Sequence, residues 1–552
     1  MQLRDDARGR AYETFYREFT WNVPARFNFA DDVVDRWAGQ ADGPALIAQD
    51  AAGNVRRFSY LDMARLTRQF AQVLRSHGIG KGDFVLIMLP RIPEWQIAMV
   101  AALRLGAIPI PCIEMLTAKD LAYRLDNSGA RAIVCRATQT DKFAGATEQV
   151  PVRIAVGATD GWLDFDAELA GASDKFVPVE VAAEDPAIMY YTSGSTGQPK
   201  GVLHASRALW SWYVPAAYWL DLGRDDVIWC TADTGWSKAG TSILFGPWAV
   251  GACSFFYDGP YEPTDRLKLV EAHGVTVYCA PATELLKVAE ANPRAYDLHK
   301  LRRTVSAGEV VNPVVASRWQ HATGLRVAEA YGQTEGLMLV LNYPGEEVRF
   351  GSMGRPSPGS RIEILGPGAV PVPDGEEGDI ALLTPHPQLM LGYHRDPERT
   401  TACFVNGPAG RWYVTGDRAR RDSDGYIWYC GRQDDIINSS GYRIGPMEVE
   451  NVLQDHPAVA ECAVVGKPDP ERGEIVKAHV VLRDGFTSSE DLVAEIQAYC
   501  KRMTAPYKFP REIDFVSAIP KTLTGKIKRS ELKERDRKAA SDATGTGRGT
   551  ST

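Results

Sequence analysis

A chain of 552 residues is too long for one hydrophobic core and predicts roughly three to four compact units. Its 45% apolar and 24% charged residues are those of an ordinary soluble globular protein, and a net charge of -8 argues against nucleic acid as the main partner, because neutralising phosphates favours a basic face. The nine cysteines are scattered, odd in number and without a C-x-x-C pair, so free thiols in a reducing compartment are expected rather than a zinc site or a disulfide framework.

The first residues hold no apolar core of signal-peptide length, which predicts a cytoplasmic protein. The aromatics Tyr12, Phe15, Tyr16, Phe19, Trp21, Phe27 and Phe29 read as an N-terminal arm packed on the body. Helical spacing after Ser59 runs through Leu61, Ala64, Leu66, Phe70, Val73 and Leu74. A turn at 78–83 leads to a strand at 84–89, a helix at 93–105 and a strand at 107–111. The most apolar span, Ile97 to Ile113, is interrupted by Arg104 and by prolines and a glycine, so it is a poor membrane helix and no integral membrane association is expected. Short strands follow at 132–135 and 153–156. Strands and helices alternating across short turns argue for a mostly parallel sheet.

The strand Ala187 to Tyr191 then feeds the string Thr192-Ser193-Gly194-Ser195-Thr196-Gly197-Gln198-Pro199-Lys200-Gly201. Glycines let backbone approach a ligand, successive N–H groups form an anion-binding concavity, hydroxyls add donors, and Lys200 adds a compact positive charge. A Gly/Ser surface loop between a strand and a helix capped by Ser206 is the plainer reading; the density and order of these residue types favour a phosphate loop. It is not G-x-x-x-x-G-K-[ST], since no Ser or Thr follows Lys200.

Further on, Trp236 closes the polar turn Thr231–Gly235 and reads as a pocket wall, with the small residues Gly240, Thr241 and Ser242 after it. Gly308-Glu309, the segment Ala330 to Glu335 and Thr415-Gly416-Asp417 each follow an apolar strand, where open α/β sheets bind ligands. Gly431 to Asp435 reads as a boundary. Beyond it, strands at 460–465, 478–482 and 513–516 and helices at 447–453 and 489–503 suffice for a small domain. The basic run from Lys521 to Lys538 has acidic residues interleaved and by charge alone is a solvated face, although Gly525 makes a turn that presents Lys526.

These motifs, in this order over roughly residues 27–538, resemble the adenylate-forming enzymes: acyl-CoA synthetases, peptide-synthetase adenylation domains and firefly luciferase. Asp233 to Trp236, Gly246 to Cys253, Glu329 to Glu335 and Thr504 to Arg511 are most similar to the medium-chain acyl-CoA synthetase branch. The resemblance implies an α/β chain. It consists of a large N-terminal adenylation domain at 1–431, of mainly parallel sheets with helices plus a β-barrel-like subdomain, and a small mobile α+β C-terminal domain at 432–539. A polar, disordered tail is expected at 540–552.

It also implies roles. Thr192, Ser193, Gly194, Ser195, Thr196, Gly197 and Lys200 would hold the ATP phosphates, with Lys200 also counted as catalytic. Gly308, Glu309, Glu329, Ala330, Tyr331, Gly332, Gln333 and Thr334 would surround adenine and AMP, and Asp417 and Arg432 would bind ribose. Thr192 and Glu335 would hold Mg²⁺. Trp236, Gly240, Gly308 and Gly332 would line the acyl pocket. Lys526 would be the catalytic lysine and Asp434 the hinge. Ser440, Gly441, Tyr442, Arg443, Arg472, Lys501 and Arg511 would contact CoA.

The implied reaction is acid plus ATP plus CoA to acyl-CoA, AMP and pyrophosphate, on a medium-chain or branched acid. Aryl or cyclic acids, a carrier-protein or oxygen acceptor, and a non-catalytic nucleotide binder stay open. The Pro520 to Lys526 context resembles that of relatives silenced by lysine acylation, which implies an acyltransferase and a deacylase acting on Lys526. Monomer and homo-oligomer are not distinguished.

Overall fold

Short runs of β-branched and apolar residues, buried on both faces, form the parallel strands of this chain, and the helices between them cover those faces. The computed structural model describes residues 12–40, 43–145, 149–192, 198–432, 435, 437–439, 442–469, 472–503, 508–522 and 526–545. Two compact units result: Met1–Ile362 with Leu382–Tyr413, and Glu363–Ala381 with Val414–Thr552.

The first unit holds a parallel five-stranded sheet in the order Ile108–Pro111, Phe84–Met88, Ala132–Arg136, Val152–Val156, Leu163–Asp164. A second sheet runs Val55–Ser59, Pro44–Asp50, Cys253–Asp258, Val227–Cys230, Val277–Cys279, Arg303–Ala307, Val327–Gln333, Leu337–Leu341, Ser352–Pro356. Its middle strands are parallel and its outer neighbours antiparallel. The expected parallel sheet is therefore present twice.

The helix Tyr60–Ser76 starts where the spacing put it, and Ser59 and Asp62 cap it reciprocally. The most apolar span becomes the buried helix Pro93–Arg104 followed by the buried strand Ile108–Pro111. Arg104, 1% exposed, is neutralised there by Asp31 and Asp35 at 2.8 Å each. Among the described residues no helix is long and apolar enough to cross a membrane. The aromatic arm packs as expected. Tyr16 and Trp21 donate to the carbonyls of Ser360 and Gly359, both at 2.9 Å, and the Tyr12 hydroxyl donates to Pro356. No cysteine is paired; eight are buried and Cys403 is half-buried.

The strand Pro186–Thr192 departs from expectation. It turns back as an antiparallel hairpin with Lys200–Ala205, and the short strand Gly392–Tyr393 adds to the outer edge. Ser206 does not cap the next helix. It lies inside helix Ser206–Ser211, whose N-cap position is Ala205, and its hydroxyl donates to the Phe27 carbonyl.

In the second unit, Asp417 of strand Gly410–Arg421 stands opposite Arg432 of Ile427–Arg432. Residues 414–431, expected with the N-terminal domain, cluster in this unit. A separate five-stranded sheet contains Val459–Asp469 and Gly473–Leu482, longer than the sequence spacing predicts, with Glu512–Phe515 parallel to the latter. Helices Pro446–Gln454 and Glu490–Met503 bury Val449, Leu453, Leu492 and Ile496 in its core. The helix Arg529–Gly545 carries regular backbone into the stretch read as a disordered tail from residue 540, while 546–552 lie outside the described residues.

Candidate active site

The hairpin puts Thr192 and Lys200 opposite each other as register partners, so both ends of the glycine-rich loop are fixed at strand spacing. The loop residues Ser193, Gly194, Ser195, Thr196 and Gly197 lie outside the described residues. The strand Gly392–Tyr393 is zipped onto the hairpin by His394 N–H to the Gly201 carbonyl at 2.7 Å and Leu391 N–H to the Leu203 carbonyl at 2.8 Å. This brings Tyr393 beside Lys200, whose Nζ lies 3.3 Å from the Tyr393 hydroxyl and 4.6 Å from its ring centroid.

Glu335 reaches the same place from the turn between the strands Val327–Gln333 and Leu337–Leu341. Its backbone carbonyl accepts from Met390 N–H at 2.8 Å. Its Oε1 accepts from the Tyr393 hydroxyl at 2.8 Å and stands 3.9 Å from Lys200 Nζ. Burial and the Glu335 charge both push the Tyr393 phenol far above its ordinary range, so it remains a donor. Sequence reasoning missed Tyr393: a Gly-Tyr pair between loops carries no pattern, and only the strand pairing reveals it.

Thr192 and Glu335 fit a hard cation. The Thr192 hydroxyl oxygen is buried and has no partner among the described residues, a costly state unless a ligand uses it. Together with the Glu335 carboxylate it would supply oxygens of the kind Mg²⁺ takes alongside substrate phosphates. No cluster of three or more His, Cys, Asp or Glu suited to a metal occurs among the described residues. A cation held mainly by phosphates does not need one.

Other expected residues stand at the carboxyl ends of the parallel strands, the usual ligand edge of such sheets. Gly308 follows Arg303–Ala307 with φ of +96° and open space where a Cβ would lie, so glycine is required by backbone and not by crowding. The Glu309 carboxylate accepts from Ala282 N–H at 2.7 Å, at the start of helix Ala282–Glu290. Glu329 is buried, and its Oε2 accepts from Val311 N–H at 2.9 Å. Burial raises its pKa to about 8. Both side chains thus brace the wall of the site. Ala330 and Tyr331 are buried in the strand, and Gln333 accepts from the Tyr413 hydroxyl at 3.0 Å.

Two glycines expected at the acyl pocket are packed closely by the protein itself. The smallness of Gly240 does not leave room: a Cβ there would lie 2.0 Å from the Trp212 ring and 2.6 Å from the Tyr190 hydroxyl. Gly332 is small because the Leu337 carbonyl would lie 1.9 Å from its Cβ, inside its own hairpin. Trp236 is half-buried and packs on the cluster containing Cys112, Ile113, Met189 and Tyr191. Beyond it, Ser237 Oγ lies 3.1 Å from Thr334 Oγ1, and Lys238 donates to the Ala307 carbonyl at 2.8 Å.

In the second unit, buried Asp417 accepts from the Tyr429 hydroxyl at 3.3 Å, and Arg432 is exposed. Lys526 is exposed beside the bridge Lys521–Ile527, and its N–H donates to Thr522 Oγ1 at 3.1 Å. Arg529, just after it, is anchored to Glu450 by contacts of 2.7 Å to both oxygens. Lys501 and Arg511 share the Phe509 ring, at 4.2 and 5.0 Å from its centroid, so two cations gather on one aromatic. Arg472 is half-buried, with its N–H on Asp469. Asp434, Ser440, Gly441 and Thr504 to Tyr507 lie outside the described residues, as do the side chains of Tyr442 and Arg443, whose backbone forms part of strand Tyr442–Ile444.

Comparison with known proteins gives a consistent result. Residues 33–394 match the model of the AMP-binding enzymes, and residues 448–526 that of the AMP-binding enzyme C-terminal domain. The mitochondrial acyl-coenzyme A synthetase ACSM3 of Mus musculus is 40% identical over 95% of this chain and 93% of its own length. The mitochondrial ACSM4 of Rattus norvegicus is 39% identical over 93% of this chain and 91% of its own. Among solved structures, an anthranilate CoA ligase in complex with anthranoyl-AMP superposes with a TM-score of 0.85 at 28% identity, covering 94% of this chain and 99% of that one. The Brucella canis acyl-CoA synthetase, at 32% identity, covers 98% and 99% with a TM-score of 0.73. The expected cytoplasmic placement is corrected by these relatives, which are named mitochondrial.

Proposed function

Because this chain belongs to the AMP-binding enzymes and is an AMP-forming acyl-CoA ligase using ATP, Mg²⁺ and CoA, we propose that its acid is a medium-chain or branched aliphatic carboxylic acid. The observation that carries the ligase chemistry is the meeting of Lys200, Tyr393 and Glu335 at the end of the glycine-rich hairpin. It joins a cation for phosphate oxygens to a carboxylate for a hard cation.

In this reading the Thr192–Lys200 hairpin binds the ATP phosphates, and the walls at Gly308–Glu309 and 329–334 enclose the adenine. Asp417 accepts the ribose hydroxyls beside Arg432. Thr192 and Glu335 would hold Mg²⁺, which when bound supplies neutralisation of phosphate charge. The acid's carboxylate oxygen attacks the α-phosphorus, and the bond to the pyrophosphate oxygen breaks. Lys526 offsets the charge gathered on the α-phosphoryl oxygens, as positioned cations do in phosphoryl transfer. The C-terminal domain, 432–539, then turns about Asp434 and exchanges Lys526 for Ser440, Gly441 and Tyr442, which line a tunnel for pantetheine, with Arg443 changing roles. Arg472, Lys501 and Arg511 meet CoA phosphates. The thiolate attacks the acyl carbonyl and AMP leaves. Such motion lets a water-labile adenylate form in a closed site and still meet a second substrate.

An acid of this kind belongs to fatty-acid metabolism. Acylation of Lys526 by a lysine acyltransferase would remove its charge and silence the first half-reaction, and a deacylase would restore it. An aryl acid is the second reading, favoured by structural neighbours named as anthranilate and benzoate CoA ligases. Mass spectrometry of the products from MgATP, CoA and a pooled panel of C2–C12, branched, thioether and aryl acids tests both. Aliphatic medium-chain or branched acyl-CoAs support the proposal, and aryl-CoA alone replaces it with the second reading. AMP without any acyl-CoA would point to a different acceptor. Light scattering of the same preparation distinguishes monomer from homo-oligomer.

A further inference from the structure

Lys200 and His204 share one strand, Lys200–Ala205. His204 is 1% exposed, and its Nε2 lies 2.6 Å from the Thr334 carbonyl oxygen. A carbonyl oxygen only accepts, so Nε2 carries the proton and Nδ1 the lone pair. Among the described residues that Nδ1 has no partner, so the ring's single polar attachment is to Thr334.

Thr334 immediately precedes Glu335, and their turn is held at three further points. Ser237 Oγ lies 3.1 Å from Thr334 Oγ1, Met390 N–H donates to the Glu335 carbonyl, and Tyr393 donates to its carboxylate. Three of the four holds act on Thr334 or on the Glu335 main chain, and only the Tyr393 bond touches the functional oxygens. One strand therefore carries the cation at its start. Further along, the same strand carries the donor that holds the backbone of the opposing carboxylate. A strand is stiff along its length, so this arrangement fixes the approach of Glu335 to Lys200 without any substrate present.

We propose that His204 is a positioning residue for adenylation: its Nε2–H, through the Thr334 carbonyl, sets the Glu335 carboxylate against Lys200. This rests on the reading of Glu335 as a Mg²⁺ ligand. His204 itself touches neither substrate nor metal. Outer groups that orient a metal ligand typically change metal affinity or activity by about 10- to 100-fold when removed.

The test compares His204→Leu, which keeps an apolar side chain of similar reach, with His204→Gln, whose amide N–H can reach the place of Nε2. Two quantities are read: the dissociation constant of ATP as Mg²⁺ is varied, by calorimetry, and the rate of each half-reaction. In His204→Leu, Mg²⁺-dependent ATP affinity and the adenylation rate should both fall by about 10- to 100-fold. In His204→Gln both should stay close to the parent. Thioester formation from supplied acyl-adenylate should be unchanged in both variants. Equal losses in Leu and Gln, or parallel loss of both half-reactions with a lowered melting temperature, would overturn the proposal in favour of simple packing. Glu335→Gln serves as the control on the underlying reading. If it leaves the Mg²⁺ dependence unchanged, the metal role of Glu335 fails and the proposal with it. If it abolishes that dependence while His204→Leu does not alter it, only the role of His204 fails.

Discussion

The Tyr393 hydroxyl donates to Glu335 Oε1 at 2.8 Å while standing 3.3 Å from Lys200 Nζ, so one phenol joins the two charged groups of the candidate site. Lys200 and Glu335 are themselves 3.9 Å apart, too far for a hydrogen bond of their own. The phenol therefore bridges the gap between them.

Tyr393→Phe keeps the ring beneath Lys200 and deletes only the bridge. The expected result is a loss of about tenfold in ATP–pyrophosphate exchange, in line with removing a group that orients a metal ligand, with the KM for the acid unchanged. Unaltered exchange would mean that Lys200 and Glu335 find their places without Tyr393.

Lys526→Ala should divide the two half-reactions. Loss of a cation aimed at developing charge costs about 10²- to 10³-fold, so adenylation should fall by that factor. Thioester formation from supplied acyl-adenylate and CoA should continue at the parent rate. Equal loss of both would contradict the assignment of Lys526 to the first step alone.

Gly240→Ala separates packing from specificity. The added methyl would meet the Trp212 ring and the Tyr190 hydroxyl, and overpacking a filled site costs about 1–3 kcal/mol. Calorimetry should record a lower melting temperature, and the ranking of acids by chain length should be retained. A variant of unchanged stability with a preference for shorter acids would instead support Gly240 as a pocket-lining residue.

Acid stability gives a pH test. Burial, and secondarily Arg207, holds His386 neutral down to about pH 3. Its Nδ1 accepts from Gln388 N–H and its Nε2 faces Ser360 Oγ at 2.9 Å. Burial in the same way lowers His204 to about 4. In the unfolded chain both rings take a proton near pH 6.5, before the folded ones do, so the unfolded state is favoured as pH falls. The stabilisation is complete above 6.5 and is lost from there down to about 4 for His204 and about 3 for His386. Each group contributes a slope of about 1.4 kcal/mol per pH unit in its window. His386→Gln should flatten the fall of melting temperature between pH 6 and 4, roughly the middle of that window. An unchanged slope would place the acid sensitivity elsewhere.

Local pattern carried much of this fold. The apolar spacing after Ser59 announced the helix Tyr60–Ser76, and the apolar runs at 84–89 and 132–135 became parallel strands because such runs are buried on both faces. Lys200 and Glu335, which the structure brings to 3.9 Å, stood out in the sequence because phosphate and cation chemistry restricts residue type. Tyr393, His204 and Ser237 did not, since each acts through a partner distant in sequence and none belongs to a local pattern. Small residues are ambiguous: a glycine in a sequence signals that space is needed, but not whether a ligand or, as beside Gly240, a tryptophan takes it. The reversal of the chain after Thr192 was hidden for a related reason. Either a hairpin or a strand–helix junction can follow a glycine-rich loop.

The strand Gly392–Tyr393 also fixes when the site can come into being. Lys200 and Tyr393 are separated by 193 residues, and Glu335 lies between them. A chain emerging from the ribosome folds from its N-terminus, and distant contacts carry the entropy of closing long loops. The glycine-rich hairpin can form early from neighbouring residues, but its cation gains the phenol only after residue 393 has been made and docked. A chain released before that point would have most of its parallel strands and no assembled phosphate site. Nucleotide capture is thereby coupled to the completion of this unit, and ATP-dependent protection in a refolding experiment would report its last long-range closure.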